Sequence, residues 1–151
     1  FIIKKNLINY ETVLKMEKKK SEIQPRLLIF EDDENILELY CRIFSHYGYE
    51  VFSSQNGKNG EELIMKVQPD LIIIDPVMPV VSGMELLCRV EKKKKFENIP
   101  IVLVTASNNS WVKDYLKTIE SEVPIISKPF DIGVLLGKIE KLLQSAQPVT
   151  A

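Results

Sequence analysis

Leu71-Ile72-Ile73-Ile74-Asp75-Pro76-Val77-Met78-Pro79 decides the fold. Four consecutive branched apolar residues with no polar alternation read as a strand covered on both faces, the pattern of a parallel sheet. A carboxylate follows at once, and then a proline, which cannot donate to a ladder and marks the strand's end. Working outward, similar short runs stand at Leu27–Phe30, Val51–Phe52, Ile101–Val104 and Val123–Ile126. Between them lie stripes at helical spacing. Ile36, Tyr40, Ile43 and Tyr47 form one, with Leu37 and Phe44 beside it. Leu63, Ile64 and Val67 form the second, and Met84, Leu87 and Cys88 the third. Val112, Tyr115, Leu116 and Ile119 form the fourth, and Leu135, Ile139 and Leu142 the last. Five strands alternating with five helices predict a three-layer, doubly wound α/β domain, (βα)5, with a parallel five-stranded sheet.

Composition agrees with one domain of this kind. The 151 residues are 45% hydrophobic and 27% charged, enough apolar material for a real core. A formal charge of −1 gives no support for direct nucleic-acid binding. No apolar stretch approaches the roughly 18 residues that span a bilayer, so no membrane segment and a cytoplasmic location are expected. Cys41 and Cys88 match no metal or redox spacing and read as small buried hydrophobes. The domain is expected over residues 25–145, with a polar tail at 146–151. Residues 1–24 differ: Ile3, Leu7, Tyr10 and Leu14 follow helical spacing ahead of Glu17-Lys18-Lys19-Lys20. An expression remnant, a linker from a larger protein, and leader residues ahead of a start at Met16 all remain open there.

Ligands in such sheets sit at the carboxyl ends of the strands, so residue types at those ends test function. The first strand runs into Glu31-Asp32-Asp33, the third ends in Asp75, the fourth in Thr105-Ala106, and the fifth leads into Lys128-Pro129. Clustered carboxylates repel by about 4 kcal/mol per close pair at an effective dielectric of about 20, and are tolerable together only with a cation. Oxygen-only ligands favour Mg²⁺. Thr105 can hydrogen-bond a phosphoryl oxygen, Lys128 can balance its charge, and the small Ala106 leaves the approach to Asp75 open.

With these residues the sequence resembles the response-regulator receiver family over residues 26–144. The matching pieces are Leu27 to Leu37, Asp75 with Met78-Pro79 and Gly83, Val104-Thr105-Ala106, and Ser127-Lys128-Pro129-Phe130. The resemblance implies a flavodoxin-like strand order, 2-1-3-4-5. It makes Asp75 the phosphoacceptor, Glu31 and Asp32 the acidic pair that binds Mg²⁺ with Asp75, and Asp33 a helix-leading acid. A register shift of one would exchange those roles. Val77 would offer its backbone carbonyl to the metal, Thr105 would be the switch hydroxyl, and Lys128 the family's lysine. The implied reaction is phosphoryl transfer from a phosphohistidine of a sensor histidine kinase or histidine phosphotransfer protein. A downstream protein partner would read the change, as a monomer or weak homodimer, without turnover of an external substrate.

Three positions depart from the family. Ile125 stands where a tyrosine or phenylalanine is common, Pro76 follows the acceptor directly, and Ser121-Glu122-Val123-Pro124 replaces a Gly-Ala turn. Ile125 and Pro76 lend modest support to a rival reading, a receiver fold that works as an interaction module without phosphorylation, and the complete set of acids, threonine and lysine argues against it. A flavodoxin-like electron carrier would need a glycine- and hydroxyl-rich loop where Glu31-Asp32-Asp33 stands. An aspartyl phosphatase would want an acid at Val77. His46 reads as a surface residue near a helix C-terminus, and Lys92–Lys95 as a solvated face. Trp111 is open between packing and an interface role.

Overall fold

The computed structural model describes residues 24–106 and 110–146. The helical spacing within residues 1–23 and the tail beyond residue 146 lie outside them. Five strands, β1 (Arg26–Phe30), β2 (Glu50–Ser54), β3 (Leu71–Ile74), β4 (Ile101–Ala106) and β5 (Ile125–Lys128), alternate with α1 (Glu34–His46), α2 (Gly60–Val67), α3 (Gly83–Glu91), α4 (Ser110–Thr118) and α5 (Ile132–Ala146). A 3₁₀ turn, Lys94–Phe96, precedes β4. All strand pairs are parallel, as the sequence predicts, and the order is β2-β1-β3-β4-β5, as the resemblance implies.

Alternate residues of the central strands feed two cores. Leu28, Phe30, Ile72, Ile74 and Leu103 meet Ile64 of α2, Leu86, Leu87 and Val90 of α3, and Val112 and Leu116 of α4. Leu27, Ile29, Leu71, Ile73, Val102 and Val104 meet Leu37, Tyr40 and Phe44 of α1 and Leu135, Leu136 and Ile139 of α5. Each fully buried aliphatic contributes about 1.5–3 kcal/mol. Both faces of the sheet are therefore sealed, and the chemistry is left to the strand ends.

Several details differ from the sequence reading. β5 begins at Ile125 rather than Val123, because Pro124 has no N–H to donate; its carbonyl accepts from the Leu103 amide at 2.9 Å and pairing starts after it. β4 ends in Thr105 and Ala106, as the sequence reading has it, with the threonine inside the strand. The buried face of α1 is Leu37-Tyr40-Phe44, with Ile36, Ile43 and Tyr47 half-buried beside it. Cys41 and Cys88 are half-buried rather than buried, and the Cys88 sulfur lies 3.3 Å from the Tyr115 hydroxyl. Trp111 is exposed on α4, and His46 is the exposed last residue of α1. No helix among the described residues is long and apolar enough to cross a membrane.

Candidate functional site

The carboxyl edge of the sheet gathers the predicted groups. β1 delivers Glu31, which is 3% exposed. Lys128, at the end of β5, places its ammonium between two acids, donating to Glu31 Oε2 at 2.8 Å and to Asp75 Oδ2 at 3.1 Å. The other oxygen of each acid is also held. The Val77 amide donates to Asp75 Oδ1 at 2.8 Å, and the Asp33 amide donates to Glu31 Oε1 at 3.2 Å. Asp32 stays exposed. Carboxylate oxygens of Glu31, Asp32 and Asp75 lie within 4.8 Å of one another, the group among the described residues able to hold a metal ion. An all-oxygen donor set of three acids fits a hard divalent cation such as Mg²⁺.

Asp33 does something else. Its Oδ1 accepts from the amides of Asn35 at 2.9 Å and Ile36 at 3.2 Å, capping α1. Thr105 is 2% exposed and pairs across the ladder with Ser127, while Ala106 at the end of β4 is exposed. Val77 carries an exposed side chain over its buried neighbours Pro76 and Met78.

Burial and charge act against each other on the central pair. Burial raises the carboxyl of Glu31 above the usual range, opposed by the hydrogen bond from Lys128. Burial also works to lower Lys128, but the carboxylates of Glu31 and Asp75 outweigh it and push the ammonium up to about 12. Lys128 is therefore a fixed positive charge that holds two acids together.

The loop after β3 keeps its shape through contacts that the sequence reading did not find. Gly83, at the first turn of α3, lies so close to Asp75 that a Cβ there would sit 1.9 Å from its carbonyl oxygen. Only glycine permits that approach. Val80 adopts φ 68°, a left-handed conformation that costs a β-branched residue about 1–3 kcal/mol, and its side chain is 77% exposed. Gly57, in the loop after β2, donates its amide to the Val81 carbonyl at 3.2 Å. The Asn56-Gly57 dipeptide is a visible turn signal, but nothing local in sequence says what the turn touches.

Comparisons with known proteins agree with this geometry. A family model for the response regulator receiver domain matches residues 27–140. The chain is 31% identical over 121 residues to the DNA-binding dual master transcriptional regulator RpaA of Synechocystis, covering 80% of this chain and 49% of that protein. It is 31% identical to the response regulator ArlR of Staphylococcus aureus, over 79% of this chain and 52% of that one. With the sensor histidine kinase TmoS of Ectopseudomonas mendocina it shares 32% identity over 80% of this chain and 12% of the kinase. The chain thus spans about half or less of these relatives. Among solved structures, a response regulator of Chloroflexus aurantiacus superposes with a TM-score of 0.73 at 26% identity, covering 81% of this chain and 99% of that one. The response regulator TrrA of Thermotoga maritima, solved in complex with Mg²⁺-BeF, gives 0.68 at 30% identity over 79% and 99%.

Proposed function

This chain belongs to the response regulator receiver domain family of two-component systems, and from that premise we propose that Asp75 accepts a phosphoryl group from a phosphohistidine donor. Receiver domains are signalling modules that interact with histidine kinases and downstream effectors, not turnover enzymes. The observation that carries the reading is the Asp75 carboxylate held at both oxygens, by the Val77 amide and the Lys128 ammonium, beside two further acids.

In the reaction an Asp75 oxygen attacks phosphorus, the P–O bond forms as the P–N bond to the donor imidazole breaks, and the imidazole leaves. Positioning and charge stabilisation do most of such a transfer. The Val77 amide and Lys128 fix the plane of the attacking carboxylate. Lys128 keeps its charge throughout and, freed in part from Asp75 as the acyl phosphate forms, faces the incoming phosphoryl oxygens. Thr105, at the adjacent strand end, supplies a hydroxyl to those oxygens. Glu31, Asp32, Asp75 and the Val77 carbonyl would hold Mg²⁺, whose charge would offset that of the phosphoryl group. The downstream change would pass through Thr105 and the α4–β5–α5 side without the aromatic common there. Ile125, half-buried against the α2–α3–α4 core, occupies that position.

Intact mass after incubation with acetyl phosphate and Mg²⁺ tests the proposal. Wild type is expected to gain one phosphoryl mass and Asp75→Asn none. No gain in wild type, with Mg²⁺ binding confirmed separately, would turn the reading to an interaction module that works without phosphorylation.

A further inference from the structure

Resting on that reading of the acidic site, we propose that the loop between β2 and α2, with Gly57 at its centre and Gln55 at its edge, is a positioning clamp that sets cation affinity. The loop supplies no carboxylate, yet it grips both loops that do. On one side the last residue of β2, Ser54, from which the loop starts, accepts from the Glu31 amide at its carbonyl at 3.1 Å, and within the loop Gln55 Nε2 donates to Glu34 Oε1 at 2.8 Å, next to the Asp32-Asp33 turn. On the other side Gly57 donates its amide to Val81, within the loop that begins at Asp75. The clamp is itself pinned. The Ser54 hydroxyl donates to the Asn56 carbonyl at 2.9 Å, the Lys58 amide to Asn56 Oδ1 at 2.9 Å, and the Gly60 amide to the Gly57 carbonyl at 3.1 Å.

Gly57 is buried and closely fitted. A Cβ there would lie 3.1 Å from both Val81 Cγ1 and the Val81 carbonyl oxygen, and 3.3 Å from Leu86 Cβ. Any side chain therefore pushes on Val81. The residue before it, Val80, is held at positive φ, and such a conformation persists only when its surroundings over-determine it. Two restraints do so, Gly57 on Val81 and the packing of Gly83 against the Asp75 carbonyl. With the first weakened, Val80 is free to relax and the Asp75 loop shifts relative to Glu31 and Asp32. The spacing of the three acids then changes although none has been altered.

Calorimetric Mg²⁺ titration of the full chain, paired with the acetyl phosphate rate, tests the clamp. Gly57→Ala is expected to weaken Mg²⁺ binding about tenfold, the low end of the cost of losing a partner that orients metal ligands. Gln55→Ala, which removes one exposed hydrogen bond, should weaken it about threefold. At saturating Mg²⁺ both should phosphorylate within about twofold of wild type, since binding is affected and chemistry is not. Adding Val80→Gly to Gly57→Ala should recover part of the affinity, because no strained residue then pulls the loop away. Should Gly57→Ala fail to fold, Gln55→Ala decides alone. Wild-type Mg²⁺ affinity in the folded variants would overturn the clamp while leaving the function standing. A wild-type protein that binds no Mg²⁺ would overturn both.

Discussion

At the scale of single residues the gathering of the site's side chains was legible and its supports were not. Glu31, Asp75, Thr105 and Lys128 each follow an apolar run, so their convergence could be read from chain order alone. Gly83 could be matched to a family pattern, but its reason, a backbone contact with the Asp75 carbonyl, exists only once helix and strand have packed. Tyr40 was read as core, and its surroundings add a testable property. It is 4% exposed, its ring is stacked at 6.2 Å from Phe130, and burial pushes its phenol up to about 12. The folded pKa lies above the unfolded value of about 10, so the neutral phenol stabilises the fold fully below pH 10. That contribution, at most about 2–3 kcal/mol, is lost as pH rises through 12. The tyrosinate absorbance difference between wild type and Tyr40→Phe should therefore titrate near 12. A difference titrating near 10 would mean the phenol is solvated.

At the scale of elements, the start of α1 separates two adjacent acids that the sequence left exchangeable. Asp33 caps the helix through two amides, while Asp32 stands exposed among the carboxylates at the strand ends. Asp33→Ala should lower stability by about 1 kcal/mol, the usual cost of a lost cap, and leave Mg²⁺ affinity within about threefold of wild type. Asp32→Ala should leave metal-free stability unchanged and weaken Mg²⁺ binding at least about tenfold. Chemical denaturation and Mg²⁺ titration of the two variants would distinguish them, and an exchange of the two phenotypes would favour the shifted register. The start of β5 was misread for a physical reason. Val123 and Ile126 are both apolar, and periodicity cannot see that Pro124 interrupts donation between them. The stripe of α1 was misjudged similarly, since two overlapping rows of apolar residues share that helix and only the packed sheet selects Leu37-Tyr40-Phe44.

At the scale of the whole molecule, the alternation of five strands and five helices predicted the parallel sheet, and the family resemblance implied its order. That order puts β1 and β3 side by side at the centre of the sheet, which is why acids separated widely in sequence meet. β5 lies at the edge, and only the long reach of Lys128 brings a cation back to them. The β2–α2 loop was opaque for the opposite reason. It holds no reactive side chain, and its contacts with two other loops depend on the assembled sheet. The central claim remains the identity of the acceptor, and chemical trapping addresses it most directly. Borohydride reduces an aspartyl phosphate to homoserine, so protein treated with acetyl phosphate and Mg²⁺, then reduced and digested, should carry homoserine at position 75 in peptide mass spectra. Homoserine at position 32 or 33, or at none of the acids of the site, would contradict it.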